Sequence, residues 1–406
     1  MEFVVSRNRL LEALQHTGRV IISNNDNKAL RCFVFTFDGD TMTVHTANNE
    51  EWMTAKVMLD APVVEPRPIA VWHSDMLRPV KSLEEQPLSF TVGEMQMTVR
   101  HSCGSFRLPL TDFAQEFLSY TKVCPDTEAD DCHRLEYEAP VLRSVLKRCK
   151  FAMAQDELRP VMNGVYMNLT DTFADYVSSD GHKLVRVRKN PVTHNGIPFQ
   201  FSLVLPSRVV NTLLRILPAT GDVDFYYQPP LFEEKGKDKT KLPTRYATAC
   251  VTVDDRLTLG FRPVDGRYPA YWSVIPEYHH FVELCVDRLS LIKSVDRLSF
   301  FTPPSEMLRL NISADTLRLN AEDADLEMYG EESLPCVCKA NDGKPMSPLA
   351  AIGMKCGSLS QTLKSLTSEK VCVRITSPST AIIIQPALQP DTEELTMLLM
   401  PMLCDD

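Results

Sequence analysis

The sequence predicts an α+β protein made of three tandem copies of one domain, with helices on one side of antiparallel sheets. Helical starts recur at Ser6–Leu14, Ala139–Lys147 and Asp287–Val295, about 133 and 148 residues apart. After each start, apolar and polar side chains alternate, then a second short helix and more alternating segments follow. A repeat of this length indicates whole domains, and 406 residues suffice for two or three. We expect domains at residues 1–128, 129–278 and 279–406.

The first helix of the middle domain has two distinct faces. A core-facing stripe is formed by Leu142, Val145, Leu146 and Cys149. The opposite face carries Arg143, Lys147 and Lys150 with few acids, whereas solvated faces normally mix both signs. A binding surface for an anion is one interpretation, and a merely solvated face is the other.

Each domain has a shorter second helix, predicted at Ser74–Leu83, Ser207–Leu217 and Ser358–Leu366, with the serine as N-cap. Pro79 predicts a kink or a late start in the first of them. Arg208 and Arg215 share the polar face of the second. A charged insert at about 229–245 reads as a hairpin extension, either a solvated loop or a partner contact.

The composition is typical of a globular protein, with 44% hydrophobic and 24% charged residues. No apolar run is long enough to span a membrane, and no signal peptide is recognisable, so we expect a cytoplasmic protein. The twelve cysteines form no metal-ligand pattern, and we expect reduced thiols, among them Cys149, Cys250 and Cys372. The formal net charge is −10, but the basic helices indicate that charge is segregated.

Several motifs occur together in a fixed order. Phe151–Ala154, Arg159 and Asn163-Gly164 lead into Ser179–Leu184, then Val264–Tyr271 follows, and the chain nearly ends with Leu398–Met402. Together they resemble the bacterial sliding clamp family, the beta subunit of DNA polymerase III, over the whole chain. The resemblance implies a three-domain subunit that dimerises head to tail into a ring, with sheets outside and helices lining the hole.

The resemblance implies two surfaces built on this ring. The lining helices would hold duplex DNA through sequence-independent phosphate contacts. The polar helix faces and the family pattern give the DNA-facing candidates Lys28, Arg143, Lys147, Lys150, Arg208 and Arg215. Ring closure would pair domain one with domain three of the partner, through Phe106 and Leu108 on one side and Leu298 on the other, with acidic residues near Glu322–Glu327 at the edge.

A cleft between domains two and three would bind short peptides of the polymerase alpha subunit, the clamp-loader delta subunit, other polymerases and repair proteins. The matching positions are Arg159, Met162, Ser179, Gly181, His182, Leu184, Pro269, Val274, Leu398, Met400, Pro401 and Met402. Three residues depart from the family pattern: Ala270, Ser273 and Leu403 stand where an acidic, a basic and a basic residue are usual. The preferred peptide is therefore left open.

Two other functions compete with the clamp. Ser179, Asp180 and His182 contain the residue types of a hydrolase triad, although residues so close in sequence rarely converge, and no Gly-x-Ser-x-Gly elbow is present. A noncatalytic scaffold that never encircles DNA is the second alternative. We expect no enzyme activity, no cofactor, no metal and no membrane partner, and a protein associated with the nucleoid.

Overall fold

A computed structural model describes the chain except for residues 121, 195–196, 236–239, 277–280, 341–350 and 405–406. The chain divides into two compact units. Unit 1 comprises Met1–Val141 with Arg215–Pro263, and unit 2 comprises Leu142–Leu214 with Val264–Asp406. Each unit contains a portion of the expected middle domain, so the boundaries at residues 128 and 278 stay a prediction. Within the described ranges, no helix is long and apolar enough to cross a membrane.

Copy one consists of two halves, each a strand, a helix and three strands. Its elements are β1 (Glu2–Ser6), α1 (Arg7–Thr17), β2 (Cys32–Asp38), β3 (Thr41–Ala47), β4 (Glu51–Met58), β5 (Ile69–Trp72), α2 (His73–Ser82), β6 (Pro87–Val92), β7 (Gln96–His101) and β8 (Gly104–Pro109). An additional helix, α3 (Phe113–Ser119), follows.

Copy two repeats this order with two small additions. Its elements are β9 (His133–Glu138), α4 (Ala139–Cys149), β10 (Gly164–Leu169), β11 (Ala174–Ser179), β12 (Lys183–Lys189), β13 (Thr193–His194), β14 (Ile197–Pro198), β15 (Phe201–Pro206), α5 (Ser207–Ile216), β16 (Asp222–Gln228), β17 (Leu231–Lys235), β18 (Thr240–Arg245), β19 (Thr248–Val253) and β20 (Leu257–Phe261). Strands β17 and β18 pair as a separate hairpin at the charged insert, as the composition predicts.

In the residues that the structure describes, copy three has the same order without additions. Its elements are β21 (Val282–Asp287), α6 (Arg288–Leu298), β22 (Met307–Ile312), β23 (Thr316–Asp323), β24 (Met328–Ala340), β25 (Ile352–Lys355), α7 (Cys356–Ser365), β26 (Lys370–Ile375), β27 (Ile382–Pro386) and β28 (Glu393–Leu399). The threefold repeat of element order agrees with the sequence pattern.

The strand pairs of the described ranges are all antiparallel, and neighbouring copies share sheets. Unit 1 holds a four-stranded sheet, β1-β6-β7-β8, and an eight-stranded sheet, β5-β2-β3-β4-β20-β19-β16-β9. Unit 2 holds a twelve-stranded sheet, β15-β10-β11-β12-β28-β27-β26-β21-β24-β23-β22-β25. Copies one and two therefore meet where β4 pairs with β20, the first joint. Copies two and three meet where β12 pairs with β28, the second joint.

The helices pack as their periodicity predicts, but the three serine N-caps expected for the second helices are not found. The α4 stripe of Leu142, Val145, Leu146 and Cys149 is buried. Ser74, Ser207 and Ser358 are not N-caps, because α2 begins at His73, α5 at Ser207 itself and α7 at Cys356, so each serine lies inside its helix. The helix α2 also includes Pro79 without a late start.

One cysteine prediction is wrong. Cys372 is not a free thiol, because it forms a disulfide with Cys285. The two residues are direct neighbours on β26 and β21, with 4.2 Å between their Cα atoms. Glu283 lies close to both sulfur atoms, but sulfurs bonded to each other are not thiolate ligands, so this group is no metal site. Alternation along a single strand could not reveal which residues face each other across strands.

Candidate functional site

Aromatic side chains in unit 2 form the floor of the candidate cleft. Tyr166 stacks on Tyr268, with 4.6 Å between ring centroids and 2° between ring planes. Tyr271 meets Tyr166 edge-on at 6.1 Å. These rings pack with Leu184 from β12 and Leu398 from β28 in one apolar cluster. The segment after β20, strand β12 and the last strand therefore meet at one place, although they are far apart in sequence.

A buried ion pair between Asp175 and Arg188 holds the Tyr271 side chain of this floor in place. The hydroxyl of Tyr271 donates to the Asp175 carboxylate at 2.7 Å, and Arg188 donates to the same carboxylate through two nitrogens, each at 2.7 Å. Asp175 is fully buried, and the Arg188 guanidinium also lies over the Phe173 ring at 4.0 Å. Burial and the hydrogen bond to Asp175 raise the pKa of Tyr271, so the phenol stays protonated and donates.

A tight turn between β11 and β12 forms one rim. The Ser179 hydroxyl donates to the carbonyl of Lys183 at 2.9 Å and accepts from the Gly181 amide at 3.2 Å. The Asp180 carboxylate accepts from the amides of His182 and Lys183, both at 2.9 Å. Gly181 has a φ of +93°, which favours glycine. The Ser179 hydroxyl and Asp180 carboxylate build the turn and do not engage the His182 ring, which argues against a triad.

The last strand joins this rim. Leu184 pairs with Leu398, and the Met400 amide donates to the His182 carbonyl at 2.8 Å. Beyond it, the Met402 amide donates to the Gly353 carbonyl on β25 at 2.7 Å. Because the segment from Leu398 to Met402 crosses from β12 to β25, its side chains are held in fixed positions beside the turn.

The predicted cleft residues fall into three classes of exposure. Exposed are Arg159, Gly181, His182, Pro269, Val274 and Met400; half-buried are Ser179, Pro401 and Met402; buried are Met162, Leu184 and Leu398. Arg159 lies beside the turn, since a Cβ built on Gly181 would be 3.6 Å from one of its terminal nitrogens. Its Nε donates to Asp156 at 2.8 Å, which lowers the pKa of that carboxyl.

Two large apolar residues at this surface were not in the predicted set. Trp272 is 59% exposed and stands edge-on to Tyr271, with 5.1 Å between ring centroids. Leu158, next to Arg159, is almost fully exposed. The aromatic density of Tyr268–Trp272 was the signal for the first, whereas an isolated leucine gives none. Two of the residues that depart from the family pattern contact each other: the Ser273 hydroxyl donates to the Ala270 carbonyl at 2.7 Å. This hydrogen bond stabilises the local turn.

The predicted DNA-facing side chains are all on the surface of their units. Lys28, Arg143, Lys147, Lys150, Arg208 and Arg215 are exposed. Arg208 and Arg215 lie two helical turns apart on one face of α5, opposite its buried residues. Lys147 and Lys150 follow each other by one turn at the end of α4. Each set therefore lies on the surface, and its contact with DNA stays a prediction.

The residues predicted at the dimer joint lie beside unpaired strand edges. Phe106 and Leu108 belong to β8, which ends the four-stranded sheet. Leu298, the last residue of α6, is only 2% exposed, so little of it is left for a partner. It contacts Gly330 on β24, where an added Cβ would be 2.9 Å from Leu298 and from Phe301. Phe300, next to Phe301, is 76% exposed and was missed, since an aromatic after a helix gives no signal of exposure.

Comparison with known proteins agrees with this architecture. Residues 136–242 match the family model for the central domain of the DNA polymerase III beta subunit. The beta sliding clamp of Synechococcus elongatus is 22% identical over 404 residues, covering 99% of both chains. That of Chlamydia pneumoniae is 25% identical over 308 residues, covering 75% of each.

Over its whole length the chain is similar to beta sliding clamps. Solved members of the family share its fold over the full length. The DNA polymerase III beta subunit of Pseudomonas aeruginosa has a TM-score of 0.82 at 20% identity, covering 99% of this chain and 100% of the other. The Thermotoga maritima beta subunit has a TM-score of 0.83 at 17% identity with full coverage of both.

Proposed function

We propose that two copies of this chain close head to tail into a ring that encircles duplex DNA. The ring tethers the replicative polymerase, and its cleft docks the polymerase alpha subunit, the clamp loader and repair proteins, in the cytoplasm at the nucleoid. The main support for this proposal is that one edge of β8 and one edge of β24 have no neighbouring strand within the described residues. The cleft geometry supports its docking part.

The two joints inside the chain follow one rule. In each, the last strand of the first half of one copy pairs with the last strand of the second half of the next copy: β4 with β20, and β12 with β28. Applied to all three copies, this rule leaves β24 and β8 without a mate. Within the described residues, β8 pairs only with β7, and the β24 segment Met328–Pro335 pairs only with β23. An exposed edge invites pairing with another chain, so β24 of one copy suits β8 of a second.

The repeat also predicts the register of this third joint. In the internal joints, core-facing residues stand opposite each other: Ala55 with Leu257, and Val187 with Leu395. Alignment of the copies by their core-facing residues gives Phe106 opposite Gly330 and Leu108 opposite Met328. Phe106 would then lie beside the Gly330 backbone and close to Leu298 and Phe301. This arrangement supports the role predicted for Phe106, Leu108 and Leu298.

A disulfide tests the register and the ring together. Opposite outward-facing residues in this register are Arg107 and Tyr329, whose Cα atoms would lie about 5.5 Å apart as a hydrogen-bonded pair, within disulfide range. In a Cys103→Ser background, which removes an exposed thiol, Arg107→Cys with Tyr329→Cys should give a covalent dimer on oxidation. Arg107→Cys with Glu331→Cys is the matched control for a shifted register and should crosslink much less.

The crosslinked ring then tests encirclement. The variant is loaded on nicked circular plasmid by its clamp loader, oxidised, and separated by gel filtration before and after linearisation. We expect retention on the circle and release from the cut DNA, because a closed ring leaves only over an end. Equal release from both forms would favour the scaffold that never encircles DNA.

A charged substitution tests the docking cleft. Val274 is 55% exposed beside the aromatic floor, so Val274→Asp should leave folding intact. A peptide from the polymerase alpha subunit, followed by fluorescence anisotropy, should bind this variant at least tenfold more weakly, since an apolar pocket tolerates a charge poorly. Val64→Asp, the same substitution at an exposed valine in unit 1, is the control. Unchanged peptide affinity in Val274→Asp would contradict the cleft assignment.

A further inference from the structure

The connector between copies one and two, residues 122–132, crosses the first joint within unit 1. It leads from α3 to β9 and forms no strand in the described structure. Val123 packs in an apolar cluster of copy one that also contains Trp52 of β4. Gly260 of β20 lies directly under it, since a Cβ built there would be 2.1 Å from the Val123 carbonyl oxygen and 3.3 Å from the Cα atom of Cys124. Because Gly260 has no side chain, the connector can pass in contact with the joint.

This close approach brings Cys124 next to Cys250. On β19, Cys250 pairs directly with Gly260. Side chains of directly paired residues lie on the same face of a sheet, with Cβ positions about 4.5–5.5 Å apart. The face stays covered further along, because Gln228 of β16, on the same face, accepts from the Asp126 amide at 3.1 Å. The connector therefore holds Cys124 against the strand that carries Cys250.

The two cysteines are free thiols that differ in exposure and acidity. Cys250 is only 1% exposed, whereas Cys124 is half-buried and open to a small reagent. A hydrogen bond with the Cys250 thiol, helped by the charge of Lys122, outweighs burial and lowers the pKa of Cys124. The same hydrogen bond and burial raise the pKa of Cys250. Cys124 is therefore the thiol that ionises, with protonated Cys250 beside it.

Buried thiols elsewhere in the chain are less reactive. Burial raises the pKa of Cys149 to about 12, and it raises the pKa values of Cys32 and Cys356 to about 11. The thiolate is the form that reacts with peroxides, so these three cysteines stay inert at neutral pH. The pair at the first joint thus combines an accessible, acidic thiol with a second thiol in contact.

We propose that Cys124 and Cys250 are an oxidisable pair, which peroxides convert into a disulfide that ties the connector to β19. The Cys124 thiolate attacks one oxygen of hydrogen peroxide, the O–O bond breaks, and a sulfenic acid and hydroxide form. The hydroxide takes up the proton that Cys124 had lost. The Cys250 sulfur then attacks the sulfenic sulfur, the S–O bond breaks, and the Cys250 proton leaves with the oxygen as water. Two electrons pass from the two sulfurs to the peroxide, and a dithiol reductant of the thioredoxin class returns them.

A metal ion fits this place less well than a disulfide. The connector carries a third cysteine, Cys132, but among the described residues the sulfurs of Cys124, Cys132 and Cys250 do not all lie within 4.8 Å of one another. Thiolate ligands of zinc lie about 2.3 Å from the ion, which needs a tighter group. Burial also raises the pKa of Cys132, so it stays a protonated thiol.

The disulfide acts as a reversible staple at the first joint. Val123 is anchored in copy one and Cys250 belongs to copy two, so the bond links both copies beside the pairing of β4 with β20. A cross-link over a long stretch of chain restricts the open and unfolded states more than the closed one. This inference depends neither on the proposed ring nor on the peptide cleft.

Peptide mapping after oxidation tests the pair. The full-length protein is treated with hydrogen peroxide, its remaining thiols are alkylated, and it is digested without reduction. We expect a peptide that links Cys124 to Cys250 and that disappears after treatment with reduced thioredoxin. Cys103→Ser, which removes an exposed thiol of the same unit, is the control and should give the same linked peptide. Linkage to Cys132 instead, or recovery of both cysteines as alkylated thiols, overturns the proposal.

Single substitutions separate the roles of the two thiols. In Cys250→Ala the resolving thiol is missing, so a sulfenic acid should accumulate at Cys124 and react with a dimedone probe. In Cys124→Ala, Cys250 should stay unlabelled by the probe and be recovered as a thiol. Labelling of Cys250 in the second variant, or its absence at Cys124 in the first, contradicts the assigned order of steps.

Hydrogen exchange tests the staple itself. In the oxidised wild type, amides of residues 122–132 and of β20 should exchange about tenfold more slowly than in the reduced protein, because local opening at the joint is restricted. Peroxide should not change the exchange of these amides in Cys124→Ala. Equal exchange rates in oxidised and reduced wild type refute the staple, even where the linked peptide is found.

Discussion

Removal of the Arg188 side chain isolates a buried carboxylate beneath the cleft. Asp175 is fully buried, and without Arg188 its carboxylate loses its cationic partner and keeps the hydrogen bond from the Tyr271 hydroxyl. Breaking a buried ion pair from one side costs about 3–5 kcal/mol, because the remaining charge has no partner. The Arg188 side chain is one-third exposed, which lets water reach the site and favours the lower end, about 3 kcal/mol. Loss of its contact with Phe173 adds about 0.5–1 kcal/mol.

A second substitution separates charge from packing. In Asp175→Asn/Arg188→Ala the uncompensated charge is removed, while the amide oxygen still accepts from Tyr271. This double variant should therefore be more stable than Arg188→Ala by about 1 kcal/mol or more, although it lacks one more native group. If the two substitutions acted independently, their costs in unfolding free energy would add, and the double variant would be less stable than Arg188→Ala.

Urea unfolding followed by tryptophan fluorescence measures both free energies. Hydrogen exchange of peptides from β11, β12 and the segment around Tyr271 assigns the loss to this region. Because Tyr271 precedes Trp272 and Val274, cleft-peptide affinity should decline with local stability. The reasoning is refuted if Arg188→Ala lowers the unfolding free energy by less than about 1 kcal/mol, or if the double variant is the less stable one.

Three further predictions concern other parts of the chain. Burial, with a nearby lysine, lowers the pKa of His45 to about 4. Between about pH 6.5 and about pH 4 the unfolded chain therefore binds a proton at this residue that the native state does not bind, so unit 1 should lose stability as the pH falls through this range. Urea titrations at several pH values should show a smaller loss for His45→Gln than for the wild type. A Cβ on Gly164 would overlap the Leu205 carbonyl oxygen, so Gly164→Ala should cost about 1–3 kcal/mol of unfolding free energy, measured by thermal melting of the variant beside the wild type. Non-reducing peptide mapping should recover Cys285 linked to Cys372, and two separate free-thiol peptides would contradict the pairing.

Local features of the fold were predictable because they depend on neighbours in sequence. The spacing of Leu142, Val145, Leu146 and Cys149 gave the buried face of α4 without knowledge of what covers it. The repeat of helices and alternating segments gave the order of elements in each copy. Helix starts were less predictable: α2 begins at His73, directly after the last residue of β5, which places the expected cap Ser74 inside the helix.

The cleft could be predicted only in part, because its residues come together through strand pairing. Family motifs identified Leu184 and Leu398, and the pairing of β12 with β28 brings them into one cluster. The Asp175–Arg188 pair and the Cys124–Cys250 pair depend on contacts between distant segments, and no local pattern marks them. For the same reason, Cys285 and Cys372 gave no sign of facing each other.

The strand edges connect the repeat to the proposed ring. A chain with two identical joints and three copies must leave one edge of each type free, and these two edges are complementary by construction. If β8 and β24 met within one chain, the structure would need no partner, yet within the described residues each keeps its outer edge unpaired. In the ring that we propose, a second copy would satisfy both edges at once, because its β24 would pair with β8 of the first copy and its β8 with β24 of the first copy.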